Sequence, residues 1–270
     1  MTEIEPEERP SLLWRVWEQV GTILLAIAIA LGIRAFVIEP FRIPSGSMLP
    51  TLLIGDHLFV NKFIYGASVP FTDIRFPAIR DPERGDVVVF AVARDGDRIL
   101  PVDQNPDLPR DDFVKRLVGL PGDRVEMRDG VVFINGERIA QDDTGAEFVA
   151  EYNRRLKIER ESLGDCDHMI LEDLQLRGMA SDNMRPLVVP PGRYFMMGDN
   201  RNYSRDSRDW GTVRREELKG PAFILYWSWN VRGNFFEFLN PVNWWSAEKR
   251  WNRLLMPVQC GIPDPLPDHS

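Results

Sequence analysis

A chain of 270 residues with 44% apolar content can bury one sizeable core, or two modest ones beside a terminal anchor, so it is not a miniprotein that depends on staples. Its net charge of -8 and the lack of any basic block argue against a nucleic-acid partner, because phosphate binding needs clustered Lys and Arg. The 21 Pro, 20 Gly and 8 Trp favour short strands and turns, hence an all-β body. Cys166 and Cys260 are too few and too isolated for a disulfide framework, and neither has a CxxC partner or histidines at metal-site spacing. No metal, cofactor or catalytic role is assigned to them; an oxidising compartment permits their pairing without dictating it.

The first predicted element is a membrane anchor. Val20 to Ile33 is free of charge, and apolar character resumes after Arg34 with Ala35, Phe36, Val37 and Ile38. As a helix, Val20 to Ile38 rises about 28 Å, close to the roughly 30 Å of a bilayer's hydrocarbon core. Arg34 lies near the end, where its stem can snorkel to the headgroups. A cleavable signal peptide would want a basic start and a small-x-small site, whereas this start carries Glu3, Glu5, Glu7 and Glu8 against Arg9 and Arg15. Arg9 and Arg15 before the span are matched by Arg34 and Arg42 after it, so charge does not set the orientation.

Beyond Pro40 the apolar runs shorten to strand length: His57 to Tyr65, Asp86 to Ala93, Phe113 to Leu120, Val125 to Arg128, Val131 to Ile134, Tyr194 to Met197 and Phe223 to Trp229. Asp129-Gly130 and Asn135-Gly136, flanked by alternating apolar residues, predict tight hairpins and a meander from Val125 to Ile139. Two stretches look inserted: Arg94 to Asp112, rich in Asp and Pro, and Ala140 to Pro186, charged, with a helix-like piece around Glu147 to Glu161. The tail from Asn234 alternates aromatics, including Trp244, Trp245 and Trp251, with polar residues, as interfacial segments do and as core packing also explains.

Chemistry concentrates directly after the anchor. Between Phe41 and Asp56, Pro44, Gly46 and Pro50 bracket Ser45 and Ser47. A serine hydroxyl becomes a useful nucleophile only with a base in reach and donors aimed at the developing oxyanion. None of the three histidines, His57, His168 and His269, sits in a promising segment, which disfavours a Ser-His-Asp triad. Lys115 instead interrupts the apolar run of Phe113, Val114, Leu117 and Val118, where burial would lower its pKa toward a free amine.

Four segments in order carry a resemblance: PSGSMLPTL from Pro44, RGDVVVF from Arg84, the Lys115-Arg116 pair followed by GLPGD, and MGDNRNYSRDSRDWG from Met197 to Gly211. They resemble the successive signature boxes of bacterial signal peptidase I, membrane-bound serine proteases with a Ser/Lys dyad. The resemblance implies Ser47 as nucleophile and Lys115 as general base. It implies an oxyanion hole from the Ser45 hydroxyl and the Ser47 backbone N–H, with Ser204 orienting the lysine and Asp206 and Arg208 bracing the loop. It matches Phe41, Ile43, Pro44, Met48, Leu52, Val89, Phe113 and Val114 to the walls of a substrate pocket for small residues at the first and third positions before the cut. It implies no cofactor; its substrates are the signal peptides of secretory preproteins, cut at the lipid bilayer. The chain departs from the enterobacterial pattern in having one apparent span, no closely spaced cysteine pair, and Phe113 where tyrosine is common.

Competing motifs are weaker. Ser246 to Lys249 reads SxxK and Ser181 to Asn183 reads SDN, but this order is the reverse of that in penicillin-binding proteins, and no KTG follows. A self-cleaving repressor would carry a basic helix-turn-helix in place of the span. The resulting expectation is a mainly β, multi-sheet catalytic body with an inserted subdomain on one transmembrane helix. Residues 1–15 form a cytoplasmic tail, 16–39 the anchor, 40–139 and 187–233 the two parts of the catalytic domain, 140–186 the inserted subdomain and 234–270 the aromatic-rich tail. Signal peptides are cut after the chain has entered the membrane, which puts the body on the periplasmic or extracytoplasmic side of the plasma membrane.

Overall fold

A computed structural model describes residues 12–66, 76–150, 154–176, 178, 182–229, 249–258 and 260. Residues 1–11, Ser181, Ser246, Trp244 and Trp245, on which some expectations rest, lie outside the described residues.

The apolar start forms helix α1, Leu12–Phe36. Its window Trp17–Arg34 has a mean hydropathy of 1.4 and is not buried by the rest of the chain, so Leu24, Ile27 and Leu31 stand exposed on a helix long and apolar enough to cross a membrane. The helix stops before Ile38, which opens strand β1, Ile38–Arg42, instead of closing the anchor. Pro40 explains this: the residue before a proline is pushed out of the α region, and a proline in a sheet belongs on an edge strand. β1 is the edge, paired antiparallel to β2, Asp56–Asn61. β2 is shorter than the run to Tyr65 suggested, because the Asn61 side chain accepts from the N–H groups of Phe63 and Ile64 and turns the chain.

The remaining strands are β3 (Val87–Asp95), β4 (Arg98–Leu100), β5 (Arg110–Gly119), β6 (Arg124–Arg128), β7 (Val131–Ile134), β8 (Glu137–Arg138), β9 (Ala140–Ala150), β10 (Arg154–Leu163), β11 (Cys166–Glu172), β12 (Met184–Val188), β13 (Arg193–Met197), β14 (Val213–Arg214) and β15 (Leu218–Ser228). The main sheet runs β1-β2-β15-β3-β5-β13-β14, with β4 paired to β3. β3 lies between two cores. Its alternation sends Val88, Phe90 and Val92 to one, with Leu117, Met196 and Trp210, and Val87 and Val89 to the other, with Ile43, Met48, Leu52 and Leu225. A strand buried on both faces reads as a continuous apolar run, which is why Asp86 to Ala93 was legible.

A second sheet, β12-β6-β7-β8, uses the expected hairpins: Asp129 and Gly130 have φ of 50° and 82°, Asn135 and Gly136 56° and 86°. Positive φ at both central residues gives the turn whose twist matches the strands.

The segment after Ile139 contradicts the helix expected around Glu147 to Glu161. It holds an antiparallel sheet, β11-β10-β9. Charged composition suggested a helix, but the apolar residues fit a strand period: Leu156 and Ile158 alternate with Arg155 and Lys157 and bury against Phe148, Met169 and Leu171. The open cysteine question is resolved, since Cys166 at the start of β11 is disulfide-bonded to Cys260, with Cα atoms 4.9 Å apart. Trp251 is 63% exposed and stands edge-on to Trp227 at 5.4 Å, so it is not a core residue.

Candidate active site

Ser47 sits in a single 3₁₀ turn, Gly46–Met48, directly after β1. The turn is anchored from below by Met48, fully buried beside Ile43 and Leu52, and by the Leu52 N–H donating to the Met48 carbonyl at 2.9 Å. Ser45 precedes it with extended backbone and is exposed, its hydroxyl making no cap hydrogen bond to the turn.

Lys115 reaches the turn from β5, where its Cα pairs with that of Val88. Its Nζ lies 2.5 Å from Ser47 Oγ, and the residue is only 3% exposed. Phe113, two residues earlier and therefore on the same face of the strand, puts its ring 5.4 Å from the nitrogen. Burial, helped by Arg208 and opposed by the Asp206 and Asp199 carboxylates, leaves the Lys115 pKa lowered to about 8.

The segment from Gly198 to Asp206 closes over this pair. A Cβ built on Gly198 would stand 2.3 Å from Ser204 Oγ and 2.5 Å from the Ser47 carbonyl oxygen, so only glycine lets the loop approach the nucleophile turn this closely. Asn200, which the sequence left between turn former and direct role, holds that turn: its Nδ2 donates to the Gly46 carbonyl at 2.9 Å and its N–H to the Ser47 carbonyl at 3.2 Å. Asp206 is fully buried and accepts from the Gly198 N–H at 2.9 Å and from Arg208 Nε and Nη2 at 2.8 and 2.7 Å. Burial alone would raise its pKa, but the Arg208 guanidinium outweighs this and holds it below the usual value. Arg208 also donates to the Arg201 carbonyl, tying the loop's two ends. Ser204 Oγ is buried beside Gly198 and makes no hydrogen bond among the described residues, to Lys115 or to another group.

Of the eight pocket residues, Phe41, Ile43, Met48, Leu52, Val89 and Val114 form one apolar cluster under the turn. Phe113 packs with the opposite core and Pro44 is exposed. Sequence reasoning missed a set of buried charges behind the site. Arg116 binds Asp199 through two hydrogen bonds, and Thr51 Oγ1 donates to the same carboxylate at 2.5 Å. Glu161 on β10 pairs with Arg201, and His168 on β11 lies 3.3 Å from Glu161 and 3.9 Å from Asp199. Burial, with the nearby Arg116, lowers the His168 pKa and keeps the ring neutral. The signal was period-two spacing: Glu159 and Glu161 point to one face of β10 with Leu163, a pattern masked by the charge around them. Among the described residues no group of three or more His, Cys, Asp or Glu could hold a metal ion.

Residues 16–227 match the family model described as signal peptidase, peptidase S26. The signal peptidase I of Pseudomonas aeruginosa is 38% identical over 212 residues, covering 74% of this chain and 69% of that one. That of Pseudomonas fluorescens is 40% identical over 213 residues, with the same coverage. That of Aquifex aeolicus is 32% identical over 280 residues, covering 93% of this chain and 99% of the relative. A match over this much of the chain places it in the signal peptidase I family, serine endopeptidases that remove signal peptides from secretory preproteins.

Proposed function

We propose that this signal peptidase works through a Ser47/Lys115 dyad, and the observation that carries the reading is a buried lysine nitrogen 2.5 Å from a serine oxygen. In the neutral form Lys115 Nζ takes the Ser47 proton as Oγ attacks the scissile carbonyl. The charge that develops on the carbonyl oxygen is met by the Ser47 N–H and the exposed Ser45 hydroxyl. The protonated lysine then gives its proton to the departing amine, leaving an ester on Ser47. Water, deprotonated by the same nitrogen, hydrolyses that ester and restores the enzyme. With a pKa of about 8, roughly one lysine in ten is a free base at pH 7. At the unperturbed value of about 10.4 it would be fewer than one in a thousand. Asp206 and Arg208 brace the loop that carries Ser204, whose role is to orient the lysine during turnover.

Specificity for small residues at the first and third positions before the cut follows from the apolar walls of Phe41, Ile43, Met48, Leu52, Val89 and Val114. Such a pocket discriminates by about 1–3 kcal/mol per methylene, so presentation of the substrate at the membrane contributes as well. Helix α1 serves as the single transmembrane anchor, with the chain start in the cytoplasm and the catalytic body on the outer side of the plasma membrane. The test is cleavage of a preprotein by purified wild type and Ser47→Ala: the variant should fold normally and yield no mature product. Substantial cleavage by a folded Ser47→Ala would remove Ser47 from the mechanism.

A further inference from the structure

The residues matched to the family end at 227, yet the described part of the tail beyond them is tightly bound to the back of the nucleophile segment. Arg253 is 3% exposed and pairs with the fully buried Asp56, Nη2 to Oδ2 at 2.6 Å and Nε to Oδ1 at 3.2 Å. The same Nη2 donates to the Thr51 carbonyl at 2.9 Å. Thr51 is therefore held from two sides, by Arg253 at its carbonyl and by Asp199 at its hydroxyl. Downstream, the Leu225 N–H donates to the Met256 carbonyl and the Val258 N–H to the Phe223 carbonyl, laying the tail along β15. Val258 is buried in the cluster that contains Met48 and Leu52. Two residues later Cys260 is bonded to Cys166, and both sulfurs lie 3.9 Å from the Gly85 carbonyl that accepts from Arg116 Nη1 at 2.8 Å.

We infer that this tail is a strap that positions the Ser47 turn for acylation, with Arg253 as its positioning residue on Asp56 and Thr51 and the Cys166–Cys260 disulfide as its fastening. The mechanism is geometric. Ser47 is on a one-turn segment with little regular structure of its own, and its downstream end is fixed by Asp56, whose cationic partner is supplied by the tail. Slackening the strap lets the Met48–Asp56 stretch shift, and a misplacement of about 1 Å at a reacting atom costs up to about a hundredfold in rate. Because the walls contributed by Phe41, Ile43, Val89 and Val114 and strand β5 stay in place, turnover suffers more than substrate binding.

The inference rests on Ser47 as nucleophile, which the Ser47→Ala assay tests separately. The strap is tested by comparing rates of proteins that all keep Ser47. The full-length enzyme in detergent is assayed oxidised, after reduction by dithiothreitol, and after reoxidation, alongside Cys166→Ser/Cys260→Ser, Arg253→Met and Arg253→Lys. Each is checked by near-ultraviolet circular dichroism. The expected result is a native dichroism spectrum, a kcat lower by about ten- to a hundredfold, and a KM within about twofold. Reoxidation should restore the rate, and Arg253→Lys should recover part of it by restoring the charge on Asp56. Val132→Ala, which cuts a cavity in the second sheet, should lose stability without losing kcat. A reduced or cysteine-free enzyme with the wild-type kcat overturns the inference. So does a loss of rate that occurs only together with loss of the native spectrum, which would make the strap a matter of stability alone.

Discussion

Arg116 grips Asp199 with a two-pronged hydrogen bond, Nε to Oδ1 at 2.8 Å and Nη2 to Oδ2 at 2.7 Å, one residue after the lysine that meets Ser47. Both groups are buried, so this pair sets the register of β5 against the Gly198–Asp206 loop without solvent screening. Removing one partner strands the other charge. Asp199→Ala should destabilise the protein by about 3–5 kcal/mol, whereas the apolar pair Arg116→Met/Asp199→Leu should cost less. Urea unfolding with comparable m-values decides it; equal losses in the single and double variants would count against an uncompensated charge as the cause.

Burying Lys115 has a stability signature as well as a catalytic one. Its folded pKa of about 8 lies below the unfolded value, so below pH 8 the folded state bears the full cost of a buried ammonium. As pH rises from about 8 toward about 10.4, the unfolded chain holds more protons than the folded one and that cost fades. Lys115→Met should therefore be inactive yet more stable than wild type at pH 7, by about 1–3 kcal/mol, with the gap closing by pH 10. A gap that is constant with pH would show that the lysine is not the group responsible.

The acidic limb of kcat/KM should fall near pH 8 and belong to Lys115. Asp206 is the first of the carboxylates that raise this pKa, so Asp206→Asn should move the limb to lower pH while also reducing kcat, because the amide loses part of its hold on Arg208. A pH–rate profile that keeps the same limb in a folded Asp206→Asn enzyme would rule out their electrostatic coupling.

Ser45 is exposed and takes no part in packing, so Ser45→Ala should leave thermal stability unchanged. As the loss of one oxyanion donor, it should lower turnover by about a hundred- to a thousandfold, or roughly 2.7–4 kcal/mol, with Ser45→Thr milder. Wild-type turnover in Ser45→Ala would dismiss the hydroxyl as a donor.

Truncation should respect the start of β1. Removing residues 1–36 leaves the pairing of Ile38 with Asn61 and Glu39 with Val60, and the product should still cleave a peptide substrate in detergent. Removing residues through Arg42 takes the edge strand next to the Ser47 turn and should abolish activity. Equal activity from the two truncations would show that β1 does not support the site.

Legibility in the sequence followed the range of the interactions involved. The hairpins at Asp129-Gly130 and Asn135-Gly136 are set by two adjacent residues each, and β3 by its own Val and Phe content. The signature segments pointed to Ser47 and Lys115, which the fold sets side by side. Strand β10 reads as helical from its own residues because its charges look solvated until Arg201, 40 residues further on, pairs with Glu161. The grip of Asn200 on Gly46 spans 154 residues, and no local pattern announces it. The same holds for the Cys166–Cys260 bond.

These separations also bear on the order of synthesis. Ser47 leaves the ribosome 68 residues before its lysine, and Asp56 leaves 197 residues before Arg253. In the dyad proposed above, a nascent chain that ends before Lys115 carries a serine with no base, and one that ends before Arg253 carries Asp56 without its arginine. On that reading no cleavage is possible until Lys115 has folded against Ser47, and the full rate waits for Arg253 and Cys260, so the growing enzyme is held back from cutting its neighbours, or itself, on the way out.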